Sequence, residues 1–182
     1  MHSSVGLPSD LAVDRVRLER PALRHAQQFL AAVRRSRELH GRWVSPPATR
    51  RSFAEYVRSL RSDKRVGLLV LTDTDDLVGV INVNEIVRGS FQSAYLGYYA
   101  FQPFAGRGSF RAGLRLAIAY CFGDLELHRV EANIQPDNAR SIALAKSLGF
   151  QKEGFSPLYL KIAGRWRDHE RWALLADNWR TR

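Results

Sequence analysis

Two glycines one residue apart, Gly106 and Gly108, lie between a strand-like run from Tyr95 to Phe101 and a helical pattern that puts Leu114, Ala117, Ile118, Cys121, Phe122 and Leu125 on one face. The stretch therefore reads as strand, loop, helix. Lacking a Cβ, the glycines let the backbone curl through positive φ and turn several N–H groups inward, which makes a nest for an anion. A helix starting at Ser109 or Phe110 adds its positive dipole end and unpaired amides, and Arg107 adds a guanidinium. A pyrophosphate suits that pocket. The spacing alone is more often a plain tight turn, so specificity must come from elsewhere in the chain.

The 182 residues fit one domain spanning 1–182, with 1–12 read as a loose N-terminal segment. The longest apolar runs, such as Val66 to Leu71, are too short to span a bilayer, and no basic stretch precedes an apolar one at the start. A soluble cytoplasmic protein without membrane contact, monomer or homodimer, is the expectation. Cys121 is the only cysteine, so neither a disulfide framework nor a cysteine metal site can form, and its place on an apolar helix face reads as core packing. The net charge of +10 is uneven: residues 1–65 carry 14 Arg/Lys against 6 Asp/Glu, and the remainder 14 against 12. Such a basic face either attracts polyanions, RNA among them, or is a solvated surface; composition leaves both open.

Taken in order, Asp14 to Arg20 alternates like a half-buried strand that Pro21 ends. Ala22 to Leu39 has helical spacing, and Thr49 is a candidate N-cap for a second helix carrying Phe53, Val57 and Leu60. Val66–Leu71 and Leu77–Ile86 read as a hairpin, followed by a third strand at Ala94–Phe101. After the glycine loop and its helix come a strand at His128–Gln135, a short helix opened by Asp137-Asn138 and stopped at Gly149, and a last hairpin about Ala163-Gly164. The order βααβββαβαββ predicts an α+β domain with a mixed, mostly antiparallel sheet of about seven strands and about four helices.

With these elements placed, the chain resembles the GNAT superfamily of acyl-CoA N-acyltransferases, whose phosphate loop is written Q/R-x-x-G-x-G/A. Here the loop is Pro103-Phe-Ala-Gly106-Arg-Gly108, with Pro103 in place of Gln or Arg. Proline donates no N–H, so the donors are expected among Phe104, Ala105, Gly106, Arg107, Gly108 and Ser109. From about Val78 to Asp177 the chain is similar to the RimJ/RimL-like acetyltransferases of ribosomal-protein N-terminal alanine, nearest the RimJ branch. The stretches that carry this are Val87 to Tyr98, His128 to Asn133, Pro136 to Ser141, Leu148-Gly-Phe150, Glu153-Gly154 and Gly164 to His169. The resemblance implies acetyl-CoA as donor, no metal, and a V-shaped opening between the strand ending near Phe101 and the one starting at His128, with Phe101, Asn133, Asn138 and Ser141 beside the cofactor.

Acetyl transfer to an amine needs a donor for the oxyanion and a proton for the leaving thiolate. A backbone N–H near Tyr99 to Phe101 is the expected oxyanion donor. Asn138 and Ser141 share one face of a helix start, and Ser141 is the candidate general acid, although locally the pair also reads as a cap and a first-turn residue. An α-amine has an unperturbed pKa of about 7.7–8.0, so a modest base suffices. Glu85 is the first choice and Glu131 the alternative, whereas His128 and His169 read as structural strand-end residues. The leading expectation is acetylation of a protein N-terminus, with a ribosomal acceptor near rRNA helped by the basic helices. Acetylation of a small amine such as a polyamine, or a non-catalytic RNA-binding module, are the other readings.

Overall fold

The computed structural model describes residues 15–180. The expected loose segment 1–12 lies outside the described residues. Seven strands form one sheet: β1 (Val16–Glu19), β2 (Val66–Thr72), β3 (Leu77–Val87), β4 (Ser93–Ala100), β5 (Arg129–Ile134), β6 (Gln151–Ile162) and β7 (Arg165–Leu175), in the spatial order β1-β2-β3-β4-β5-β7-β6. Every neighbouring pair is antiparallel except β4 with β5. The helices are α1 (Ala26–Arg35), α2 (Arg37–His40), α3 (Arg50–Ser59), α4 (Ser109–Phe122), α5 (Ala139–Ser147) and α6 (Ala176–Arg180). The α+β class, the seven mostly antiparallel strands and their places along the chain agree with the sequence reading.

Among the described residues six α-helices stand where about four helices were expected. The run from Ala22 to Leu39 breaks at Ser36, whose buried Oγ accepts from the Gln102 amide at 2.9 Å instead of facing solvent. That bond and Arg35 Nε to Gln102 O at 3.0 Å tie the end of α1 to the start of the glycine loop. Thr49 caps α3 as its residue type predicts, accepting from the Ser52 amide.

The sheet separates two apolar layers. Phe29, Val33 and Phe53 of α1 and α3 pack on Leu69, Leu71, Val80 and Phe101. On the other face Phe110, Leu114, Ile118 and Cys121 of α4 pack on Val70, Val78, Ile81 and Val130. Cys121 is fully buried, which pushes its thiol up to about 12 and fits a packing role. Among the described residues no helix is long and apolar enough to cross a membrane.

α4 lies so close to β2 that a Cβ on Gly113 would stand 2.4 Å from Val70 Cγ1. Gly113→Leu is therefore expected to cost about 1–3 kcal/mol through overpacking. Thermal unfolding checks this, at about 2–4 °C of Tm per kcal/mol for a chain of this size. An unchanged Tm would mean that α4 is not seated this tightly.

Candidate active site

The site is made by a parting of strands. β4 and β5 pair only through Ser93, Ala94 and Tyr95 against Arg129, Val130 and Glu131. Beyond that point β4 stays with β3 through Ala100, and β5 stays with β7 through Ile134. The carboxyl ends of these two parallel strands therefore diverge, the place where open α/β sheets bind ligands. A cavity of ≈ 1160 Å³ fills the gap. One half is bounded by Gly106, Gly108, Arg111, Asn138, Ser141 and Ser147, the other by Glu38, His40, Trp43, Tyr95, Tyr99 and His169.

Strand parity decides which backbone groups face the gap. The Phe101 amide donates to Val78 O at 2.8 Å, so Phe101 and, two residues back, Tyr99 point their peptide groups at β3. Tyr98 and Ala100 therefore point theirs away from β3, into the opening. The expected oxyanion donor shifts accordingly from the Tyr99 to Phe101 stretch to the Tyr98 amide. Phe101 leaves the cofactor set altogether, because its side chain is fully buried beneath α1 and its amide is spent.

The glycine loop is also narrower as a donor set than its sequence suggests. Phe104 and Ala105 donate to Phe101 O and Arg107 donates to Phe104 O, so the turn consumes those three amides. The amides of Gly106 and Gly108 take no partner among the described residues. Both glycines have positive φ, +81° and +91°, and a Cβ on Gly106 would point into open space. Ser109 begins α4 behind the Gly108 N-cap. With Arg111 and Arg140 also on the cavity wall, this half offers amides, a helix start and cations, a donor set that fits the phosphates of a CoA-type substrate.

α5 brings the two hydroxyls together. The Asn138 carbonyl oxygen accepts from the Ser141 amide at 3.2 Å, so Asn138 is a cap. Ser141 Oγ donates to Tyr98 Oη at 3.0 Å across the gap. Burial pushes the Tyr98 phenol up to about 12, which keeps it protonated at neutral pH. Sequence reasoning placed Tyr98 on its strand without a role. Its position on a splayed strand, three residues after Tyr95, was the only available signal.

The carboxylates expected as bases do not reach the cavity wall. Glu85 sits at positive φ in a bulge between Asn84 and Val87, exposed beside Asp63 and Lys64 in a separate depression. Glu131 accepts from Arg129 Nε at 2.8 Å, and Arg129 is shared with Glu153. Asn133 lies on the wall, but β5 alternation sets it on the face opposite Val130, Ala132 and Ile134, and its Oδ1 is buried without a partner among the described residues. Glu38, His40 and Trp43, missed in the sequence, come from α2 and the turn after it.

Residues 15–151 match the acetyltransferase (GNAT) domain model, and the chain belongs to the GNAT acetyltransferase family. It is accordingly an N-acetyltransferase of the GNAT type. Over 127 residues it is 35% identical to the probable N-acetyltransferase YjcK of Bacillus subtilis (strain 168), covering 69% of this chain and 70% of that protein. It is 43% identical over 107 residues to the ribosomal protein uS5-alanine N-acetyltransferase of Escherichia coli (strain K12), a match over 59% of this chain and 55% of the relative's length. Mycobacterium smegmatis RimJ, solved in complex with CoA-disulfide, superposes with a TM-score of 0.82 at 25% identity over 89% of this chain and 82% of that one.

Two measurements probe the site directly. Gly106→Asp puts a side chain at positive φ and a negative charge beside the proposed phosphate position, and CoA affinity by calorimetry is expected to fall at least about 10-fold, since one such lost interaction is worth ~1.4 kcal/mol or more. Retained affinity would place CoA elsewhere. Burial also holds the His40 and His169 imidazoles below the ordinary histidine value of 6.5. The unfolded chain then takes up protons that the folded chain refuses, so stability is lost as pH falls from about 6.5 towards the folded-state values. The Tm is expected to be lower at pH 5.5 than at 7.5, with a shallower dependence in His169→Gln.

Proposed function

We propose that this chain moves the acetyl group of acetyl-CoA to the α-amino group of a protein N-terminus, of the ribosomal-protein alanine type, by direct attack in a ternary complex. The observation that carries the reading is the cavity that passes between β4 and β5. Its wall includes Gly106 and Gly108 of the glycine loop, Tyr98 and Ser141, and Glu38, His40 and Trp43 from α2 and the turn after it, so one cavity can take both the cofactor and an acceptor amine. The Tyr98 amide supplies the hydrogen bond for charge developing on the thioester oxygen. The Tyr98–Ser141 hydroxyl pair supplies a proton for the departing sulfur.

Several features support a protein acceptor. The acceptor half is lined by Trp43, Tyr95, Tyr99, Leu160 and Ile162, which offer apolar surface to residues following a terminal amine, with the exposed Glu38 carboxylate at the wall for its charge. Arg34, Arg37, Arg50, Arg58 and Arg61 stand exposed on or just beyond α1–α3, and none forms an ion pair among the described residues. That positive surface favours approach to an RNA-rich particle carrying such an acceptor.

Mass-spectrometric assay of peptides that begin with Ala is expected to reveal acetylation confined to the free α-amine, and faster turnover than with spermidine. Faster turnover of the polyamine would overturn the acceptor assignment. Tyr98→Phe and Ser141→Ala are each expected to lower kcat by about 10²-fold with CoA affinity largely kept, in the range of general acid contributions. The double variant should lose little more than either single one, because groups acting as a unit are not additive. Multiplying losses would mean that the two hydroxyls act separately.

A further inference from the structure

Resting on the acetyl-transfer reading above, the site still lacks a group to take the proton that an ammonium acceptor must lose. Glu85 lies outside the cavity, Glu131 is held by Arg129, and Glu38 is an exposed carboxylate. His40 is different. It is buried, it lines the acceptor half, and its Nε2 lies 2.9 Å from Ala100 O. A carbonyl only accepts, so that contact fixes the tautomer: Nε2 carries the hydrogen and Nδ1 the lone pair. Nδ1 has no partner among the described residues.

The same bond places the ring on the reacting edge. Ala100 and Tyr98 present their peptide groups to the gap, two residues apart, which is about 7 Å along a strand. Edge-to-face contacts with Tyr99, at 5.4 Å between centroids, and with Phe101, at 5.5 Å, fix the plane of the imidazole. His169, the other buried histidine on the cavity wall, sits on β7, one strand beyond β5, and its ring is held by Arg167 O of its own strand and by Tyr159 instead of by the β4 edge. The titratable groups about the His40 ring are Glu38 on its own helix and Tyr99 on β4, with Tyr95 and His169 across the cavity.

We propose that His40 is the general base of the reaction, taking a proton from the acceptor ammonium at Nδ1 while its Nε2 hydrogen remains on Ala100 O. The freed lone pair of the nitrogen forms the C–N bond as the C–S bond breaks. The departing sulfur takes a hydroxyl proton from the Tyr98–Ser141 pair, and a second proton shed by the nitrogen replaces it. The products are the amide, the thiol and a His40 imidazolium that returns its proton to solvent.

His40→Gln keeps an N–H for Ala100 O and removes the basic lone pair. With an Ala-initiated peptide at pH 7, kcat is expected to fall by about 10²-fold, with KM for acetyl-CoA unchanged. The deficit should narrow above pH 8 to 9, where an amine of pKa about 7.7–8.0 sheds its proton unaided. A purely structural role would give the same loss at every pH, and that result, or wild-type kcat at pH 7, overturns the proposal. Nitrogen-resolved NMR of the wild-type protein at pH 7 tests it independently of the acceptor: a neutral Nε2–H tautomer is expected, and an Nδ1–H tautomer or an imidazolium overturns it. Wild-type turnover of spermidine but not of the peptide would overturn the acceptor reading alone; the His40→Gln comparison then applies with spermidine, the deficit narrowing only above about pH 10, where an alkylamine of pKa about 10.4 sheds its proton unaided.

Discussion

Everything about this site follows from a pairing that stops early. A parallel pair of strands normally satisfies its facing peptide groups along its whole length, and unsatisfied ones are costly when buried. Here β4 and β5 pair through three residues each and then part, which leaves the peptide groups of Tyr98 and Ala100 facing a cavity. The Tyr98 groups are left for a substrate, while Ala100 O takes the His40 Nε2 hydrogen; each strand meanwhile keeps its other neighbour, β3 holding β4 and β7 holding β5. The sheet thus divides into two leaves joined as far as Tyr95 and Glu131, with room between them for a substrate to complete the hydrogen bonding that the fold omits.

The surrounding elements keep that gap in a defined shape. On one side α4 starts at Gly108 and is drawn onto the sheet by Phe110, Leu114 and Ile118, which fixes the glycine loop at the mouth. On the other, Ser36 and Arg35 hold Gln102, which ties the end of α1 to the start of the loop. Arg42 reaches Asp137 at 2.8 Å, linking the turn after α2 to the turn before α5. As an exposed pair it contributes little to stability. Its consequence is positional, since it joins the two leaves beside the cavity.

Much of the fold was legible in the sequence because its signals are local and periodic. Alternation in Arg129–Ile134, the Asn138 cap and the Gly106–Gly108 spacing each correspond to an observed element. The losses came from single-residue events. Its place at the end of the strand next to Ala94–Phe101 makes Glu85 the first choice as base, but a bulge between Asn84 and Val87 changes the register, and Glu85 ends exposed and away from the cavity. The glycine loop looked like six donors, and internal turn bonds spend the amides of Phe104, Ala105 and Arg107. His40 was invisible for another reason: its meaning lies in a contact with Ala100, 60 residues away, that no local pattern encodes.

In the proposed function, one cavity between β4 and β5 holds the phosphates of CoA at the glycine loop and its sulfur at the Tyr98–Ser141 pair. A crystal structure of the full chain with CoA tests it most directly. The pyrophosphate is expected on the amides of Gly106 and Gly108, the pantetheine along the splayed edge of β4, and the sulfur within hydrogen-bond reach of Ser141 or Tyr98. CoA bound with its sulfur remote from that pair, or held on the α1–α3 face with the gap empty, would contradict it.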